Sequence, residues 1–124
     1  MEITEGVRFD SLGLSPEILR ALEKRNLTLS TPVQAGCIPP MLAWQDVIAK
    51  APTGTGKTFA YGIPIVEHID PEDETVQAVI LSPTRELAIQ ITDELRDISA
   101  FKPGVRSVCL YGGQPIGRQI DALK

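Results

Sequence analysis

The pattern of apolar and polar residues changes several times along this chain, between helical spacing and short apolar runs. Apolar residues three or four positions apart predict helices in "PEILRALEKRN" and "RELAIQITDELRDIS". Another helix is predicted to begin at "STPVQ", and "TFAYGIPIVEHI" is apolar on most sides, which indicates a buried helix kinked at Pro64. A last helical pattern joins Ile116, Ile120 and Leu123.

The first of these helices carries clear signals at its two ends. Ser15 is predicted to be its N-cap, with Pro16 at the first helical position. Leu14 and Leu19 stand at the spacing of a hydrophobic staple, and Asn26 suits the left-handed position that follows a helix.

Short apolar runs between the helices predict three strands, "DVIAKA", "TVQAVILSP" and "VRSVCLY". Strands that alternate with helices are typical of an α/β fold, a parallel sheet with helices on both faces. Ligands of such a sheet bind at the carboxyl ends of its strands. The glycine-rich "APTGTGKT", "SPTRE" and "YGG" all follow predicted strands, so we expect one site at that edge.

Composition narrows the class of protein. The 124 residues suffice for one domain, and 43% hydrophobic and 23% charged residues are ordinary for a soluble globular protein. No apolar run approaches the ~18 residues of a membrane span, and the first ten residues lack the features of a signal peptide. The two cysteines have no metal-binding spacing, so we expect buried thiols and a cytoplasmic protein. Because the net charge is -4, any binding of nucleic acid must come from local geometry.

The segment "APTGTGKT" has the pattern of a phosphate-binding loop. Gly54 and Gly56 let the backbone turn its amides inward, Lys57 can reach the outer phosphates, and the Thr58 hydroxyl is placed to bind Mg²⁺. Ala51 replaces the first glycine of the pattern, at a place where the backbone is still expected to belong to a strand. The loop therefore predicts binding of a nucleoside triphosphate.

The upstream segment "STPVQ" has two interpretations. Thr31 and Gln34 form the T-x-x-Q pattern of a capping box, in which Gln34 caps the backbone at the start of a helix. Alternatively, the Gln34 amide can pair with the N6 and N7 edge of adenine.

"TPVQ", "APTGTGKT" and "SPTRELAIQ", followed by "YGG", resemble in this order the start of a DEAD-box RNA helicase. The resemblance covers all 124 residues and is to the nucleotide-binding half of the first RecA-like domain. It divides the chain into a helical segment with the Q motif, residues 1–45, and a truncated RecA-like nucleotide-binding domain, residues 46–124.

The resemblance implies a role for each matching residue and ATP and Mg²⁺ as cofactors. Phe9 would pack on adenine, although it could equally be a core residue, and Thr31 would assist Gln34. The implied nucleotide site comprises Phe9, Thr31, Gln34, Ala51, Thr53, Gly54, Thr55, Gly56, Lys57 and Thr58, with Lys57 and Thr58 also in catalytic roles and Thr58 as the metal ligand.

The resemblance also implies contacts with the backbone of single-stranded or structured RNA. The implied RNA-binding residues are Pro83, Thr84, Arg85, Glu86, Gly112 and Gly113. Contacts of this type carry little base preference. Arg85 could instead pair with an acidic neighbour.

The chain departs from the family pattern in two ways. First, this chain has Asn26 where the family usually has glycine and Ser30 where it commonly has proline, and Trp44 and Gln45 replace a turn of small residues before Asp46. The family's Asp-Glu-Ala-Asp motif, its second lobe and its arginine fingers find no match within the 124 residues. We therefore expect weak nucleotide binding, almost no hydrolysis, and an incomplete sheet whose gap causes self-association or marginal folding.

Two other classes of function are weighed against an RNA helicase. One is a stand-alone, non-catalytic nucleotide-binding module. The other is a different phosphate-loop enzyme, such as a kinase or a transporter ATPase, against which "PTRELA" and Gln34 argue.

Overall fold

The structure, a computed structural model, describes residues 6–52, 54 and 56–124. Over these residues the chain forms a short 3-10 helix, Phe9–Ser11, and five α-helices. These are α1 (Pro16–Lys24), α2 (Pro32–Leu42), α3 (Lys57–His68), α4 (Arg85–Ile98) and α5 (Ile116–Leu123). All five helices that the sequence predicts are present, and α3 continues through Pro64 to His68. No described helix combines the length and apolarity that a membrane span requires.

The helix ends follow the local signals in the sequence. The Ser15 hydroxyl accepts a hydrogen bond from the Ile18 amide at 3.4 Å, as the predicted N-cap of α1. Thr84 caps α4 in the same way, by accepting from the Leu87 amide at 3.2 Å. Asn26 has a φ of 58°, the left-handed conformation expected just beyond α1.

The core lies where α3 packs against α2 and α4. Its buried residues come from both predicted segments of the chain, 1–45 and 46–124. They are Phe9, Leu14, Ile18, Leu22, Ile38, Phe59, Ile63, Val66 and Ile98. At Gly62 an added Cβ would lie 2.9 Å from Ile98 Cδ1, so the small residue lets α3 and α4 approach closely. The N-terminal helices therefore share one core with the helix that follows the phosphate loop.

Polar contacts fix the C-terminal end of α3. The Lys102 ammonium donates to the carbonyls of Val66 (2.7 Å), Glu67 (3.2 Å) and Ile69 (2.8 Å), which lie at or beyond the last turn. The Glu67 carboxylate accepts from both the amide and the hydroxyl of Ser15, at the N-terminus of α1. A cation at the carboxyl end of one helix and an anion at the amino end of another are favourable pairings with the helix dipoles.

The predicted parallel sheet is not observed in the part of the chain that the structure describes. Residues 46–52, 75–83 and 105–111 have no regular secondary structure, and the one β-bridge among the described residues joins Arg8 and Leu29. Ala51, expected at the end of a strand, therefore lies in none. A strand needs a neighbour about 4.8 Å away to complete its hydrogen bonds, and these three segments do not provide one another with that neighbour. The helical half of the α/β prediction is thus confirmed, and the sheet stays a prediction.

Candidate functional site

The N-terminus of α3 forms the centre of the candidate nucleotide site. Gly56 is its N-cap with a φ of 80°, and Gly54 has a φ of 84°, so both adopt the left-handed conformation that glycine tolerates. Lys57 is the first helical residue and is exposed, and Thr58 follows it. The first amides of a helix lack internal partners and carry partial positive charge, so this end of α3 can receive an anion. Thr53 and Thr55, also predicted for this site, lie outside the described residues.

Gln34 connects this loop to the start of α2. Its Oε1 accepts from the Thr31 amide at 2.9 Å, and its Nε2 donates to the Gly56 carbonyl at 3.1 Å. The capping box is therefore confirmed, while the contact with Gly56 has no signal in the sequence. An added Cβ on Gly56 would lie 2.2 Å from Gln34 Nε2, so this approach requires glycine.

Recognition of adenine by Gln34 stays a prediction. The residue is buried, with 5% of its surface exposed. A glutamine amide has two N–H donors and two acceptor lone pairs, so each end of the side chain keeps one capacity beyond the bonds to Thr31 and Gly56.

Phe9 occupies the core and not an open surface. Only 2% of its surface is exposed, and it belongs to the cluster that contains Ile18 and Phe59. Phe9 is therefore part of the core, and its packing on adenine stays a prediction.

A second group of residues lies near Thr58, and no pattern in the sequence indicates it. Lys57 and Tyr61 line a cavity of about 280 Å³ between α2 and α3, together with Cys37. Burial raises the pKa of the Tyr61 phenol, the negative charge of nearby Glu94 raises it further, and a hydrogen bond with Thr58 partly offsets these two effects. Burial also raises the pKa of the Cys37 thiol, which agrees with an unreactive buried cysteine. No sequence spacing signals this group, because Glu94 reaches it from another helix.

The predicted RNA-binding residues lie at the start of α4. Thr84 is the N-cap, and Arg85 and Glu86 form the first turn, both exposed along with Pro83. Arg85 Nε lies 3.6 Å from Glu86 Oε1, the acidic pairing that the sequence left open. With side chains 58% and 79% exposed, such a pair contributes little and leaves the guanidinium open to other anions.

Gly113 comes close to the same arginine. It has a φ of 89°, and an added Cβ would lie 3.0 Å from Arg85 Nη1. Gly112 is exposed beside it. Two segments that the sequence predicted separately as RNA contacts are therefore neighbours in space.

The nucleotide and RNA candidates lie toward the same end of the molecule. Tyr61 on α3 is close to Glu94 on α4, and farther along Val66 contacts Lys102, which follows α4. Since the contacts advance in the same direction on both helices, α3 and α4 run parallel and their N-termini face the same way. This agrees with the single site expected from the sequence.

Comparison with known proteins gives consistent matches. The model of the DEAD/DEAH box helicase family matches residues 31–124. The DEAD-box ATP-dependent RNA helicase CshA of Geobacillus kaustophilus is 53% identical over 116 residues, and CshA of Bacillus subtilis is 48% identical over 118 residues. These alignments cover 94% and 95% of this chain but only 25% and 24% of the relatives, so the chain spans about a quarter of their length.

Solved structures agree with the sequence matches. The crystal structure of a DEAD box protein from Methanococcus jannaschii superposes with a TM-score of 0.84 and 37% identity, covering 94% of this chain and 32% of that one. A hypothetical ATP-dependent RNA helicase from Sulfolobus tokodaii gives a TM-score of 0.79 and 34% identity, covering 89% of this chain and 31% of its own.

Proposed function

This chain belongs to the DEAD/DEAH box helicase family, and we propose that it is the ATP- and RNA-binding amino-terminal segment of an ATP-dependent RNA helicase. Its relatives of about 50% identity are ATP-dependent RNA helicases, and the chain corresponds to their first quarter. ATP and Mg²⁺ are the proposed cofactors.

The observation that carries the proposal is the hydrogen bond from Gln34 Nε2 to the Gly56 carbonyl. It brings the glutamine that would read the base against the loop that would hold the phosphates. Lys57, exposed beside Gly56, would bind the outer phosphates, and the Thr58 hydroxyl would bind Mg²⁺. Mg²⁺ would neutralise phosphate charge and orient the triphosphate.

RNA would bind at the start of α4. The free amides of the first turn and the Arg85 guanidinium are both suited to phosphate oxygens. Gly113, which lies against Arg85, presents backbone without a side chain and so permits close approach of a sugar-phosphate chain. Such contacts would hold RNA with little dependence on its sequence.

We expect these 124 residues alone to hydrolyse almost no ATP. By the family resemblance, the carboxylates that order Mg²⁺ and water, and the arginine fingers, belong to other parts of a helicase. An arginine finger alone contributes about 10³- to 10⁵-fold in rate. Phosphate release from the chain with ATP, Mg²⁺ and RNA measures this, and turnover at the rate of an intact helicase would contradict it.

The nucleotide assignment is tested by binding fluorescent analogues of ATP and GTP to the chain and to Gln34→Ala. A bidentate amide–adenine pair contributes about 1–3 kcal/mol, so the preference for ATP over GTP should fall about fivefold or more. Lys57→Ala is the matched control. Because ATP and GTP share the same phosphates, loss of a phosphate contact should weaken the binding of both nucleotides by the same factor.

The ratio of the two affinities is the decisive quantity. Gln34 also caps α2, so Gln34→Ala is expected to lower stability, and circular dichroism of each variant reports this separately. If the ATP:GTP ratio does not change in folded Gln34→Ala, then Gln34 serves only the helix cap and the loop contact. If Lys57→Ala weakens the binding of neither ATP nor GTP, the phosphate-loop assignment is wrong.

A further inference from the structure

The tryptophan that replaces a small residue of the family pattern has a backbone conformation that few bulky residues adopt. Trp44 is the single tryptophan of the chain, its φ is 62°, and 77% of its surface is exposed. Trp44 is the left-handed residue just beyond the C-cap of α2, where its amide donates to the Met41 carbonyl and the Gln45 amide donates to the Pro40 carbonyl, as in a Schellman motif. Glycine is usual at this position of the motif, and a large, mostly exposed aromatic ring takes its place here.

His68 supplies the contact that holds the indole. The two rings stack with centroids 3.8 Å apart and planes at 25°. His68 is itself fixed, since its Nε2–H donates to the Met41 carbonyl at 3.0 Å. One face of the indole is therefore covered by imidazole, and the rest of the ring forms a rigid platform.

The platform borders a cavity of its own, of about 270 Å³, between the C-terminal ends of α2 and α3. Trp44, Asp46, His68 and Gln77 are among its lining residues. Pro64 and His68 of α3 both line the cavity, so it lies about 10–16 Å along the helix from Lys57 at 1.5 Å per residue. It is thus at the opposite end of α3 from the phosphate loop.

Acidic groups border this cavity on one side, and the Lys102 ammonium is bound to the carbonyl of Ile69, another lining residue. Asp46 lies in its wall, and Gln77 ties the wall to the loop "DPEDE" by donating to the carbonyls of Asp70 (2.9 Å) and Asp73 (3.1 Å). The loop holds four exposed carboxylates and no basic residue. Such a surface attracts cationic groups and repels the phosphates of RNA.

We propose that the Trp44 cavity binds an arginine side chain of a basic peptide segment from a protein partner. The planar guanidinium would stack on the indole while its N–H groups pair with the Asp46 carboxylate. Arginine suits this arrangement better than lysine, because its charge is carried by a flat group that can stack and pair at once. The acidic loop would attract the remaining basic residues of the peptide.

The fluorescence of Trp44 tests the proposal directly, because no other tryptophan contributes. A hexa-arginine peptide is titrated into the chain, with a hexa-lysine peptide and poly(U) RNA in parallel. We expect a saturable change with hexa-arginine, a weaker one with hexa-lysine and none with poly(U). Asp46→Asn should weaken hexa-arginine binding about three- to thirtyfold, whereas Glu23→Gln, the same charge change at an exposed site on α1, should leave it unchanged.

A second variant separates binding from folding. Trp44→Gly relieves the left-handed strain, so its stability should be maintained or raised while labelled hexa-arginine, followed by anisotropy, binds more weakly. The proposal is overturned if hexa-arginine leaves the fluorescence unchanged, or if Asp46→Asn and Glu23→Gln weaken binding equally. A saturable response to poly(U) in place of the peptide would instead make the cavity an RNA site.

Discussion

At the scale of single residues, Gln34 links two motifs that are far apart in the sequence. Its Oε1 completes the capping box of α2, and its Nε2 reaches the carbonyl of Gly56 at the start of α3. A glutamine is suited to this task because one amide offers an acceptor and a donor at the same time. The position of the loop relative to α2 therefore depends on this one side chain and on the absence of a side chain at residue 56.

Alanine substitutions at Gly54 and Gly56 distinguish the cost of left-handed backbone strain from the cost of a clash with the Gln34 side chain. Gly54 and Gly56 share a left-handed φ, so either change should cost about 1–3 kcal/mol in backbone strain. Only Gly56→Ala places a methyl group on Gln34 Nε2, whereas no described atom lies within 4 Å of the Cβ position at Gly54. Urea unfolding should show a larger loss of stability for Gly56→Ala.

Removal of the glutamine supplies the control for this comparison. In a Gln34→Ala background the obstructing amide is gone, so Gly56→Ala should cost no more than Gly54→Ala. Equal losses for the two glycines in the unaltered chain would mean that the contact with Gln34 does not constrain the loop.

At the scale of elements, the start of α4 combines three features that favour an anion. Thr84 caps the helix, Arg85 is its first residue, and Gly113 brings a second segment against the guanidinium. The family resemblance named Thr84, Arg85 and Gly113 as RNA contacts, but the sequence could not place Gly113 beside Arg85.

Arg85→Gln tests the role of this helix end in RNA binding. Loss of one phosphate contact should weaken the binding of single-stranded RNA by about the same factor for different RNA sequences. It should also reduce the slope of log affinity against log salt concentration by about one. Arg96→Gln is the matched control, because Arg96 lies on the same helix about 16 Å farther along its axis. Equal effects of the two variants would show a diffuse charge effect and no localised site.

At the scale of the whole molecule, apolar side chains face solvent along the three segments that were predicted as strands. Ile48 is 97% exposed, Leu81 90% and Val79 76%. Helices α1 to α4 bury apolar side chains in a common core, whereas α5 and these three segments contain no buried residue, and the segments have no sheet partners among the described residues. Exposed apolar runs with unpaired backbone favour association with other chains.

We expect the 124-residue chain to self-associate or to be only marginally folded. In sedimentation velocity its average sedimentation coefficient should rise with concentration, and either Ile48→Lys or Leu81→Lys alone should reduce this rise. Leu29→Lys, which adds the same charge at a residue 62% exposed near the N-terminus, should have little effect. A sharp monomeric boundary with a cooperative thermal transition would contradict the expectation.

Much of the candidate site could be predicted from the sequence, because its parts are local signals. The loop glycines, the lysine and threonine that follow them, and the caps at Ser15 and Thr31 each depend on residues within one helical turn. The burial of Phe9 could not be predicted in this way. Its burial against Ile18 and Phe59 depends on how separate helices pack.

The sequence by itself determined the five helices and the side-chain caps at Ser15 and Thr31, because periodicity and capping act over a few neighbouring residues. The tertiary structure alone decided that Gln34 touches Gly56, that Gly113 lies against Arg85 and that Trp44 stacks on His68. These contacts join residues from different elements, so they exist only once the helices have packed around a common core. Strand pairing is of the same kind, since a strand is stabilised by a neighbour distant in sequence and not by its own residues.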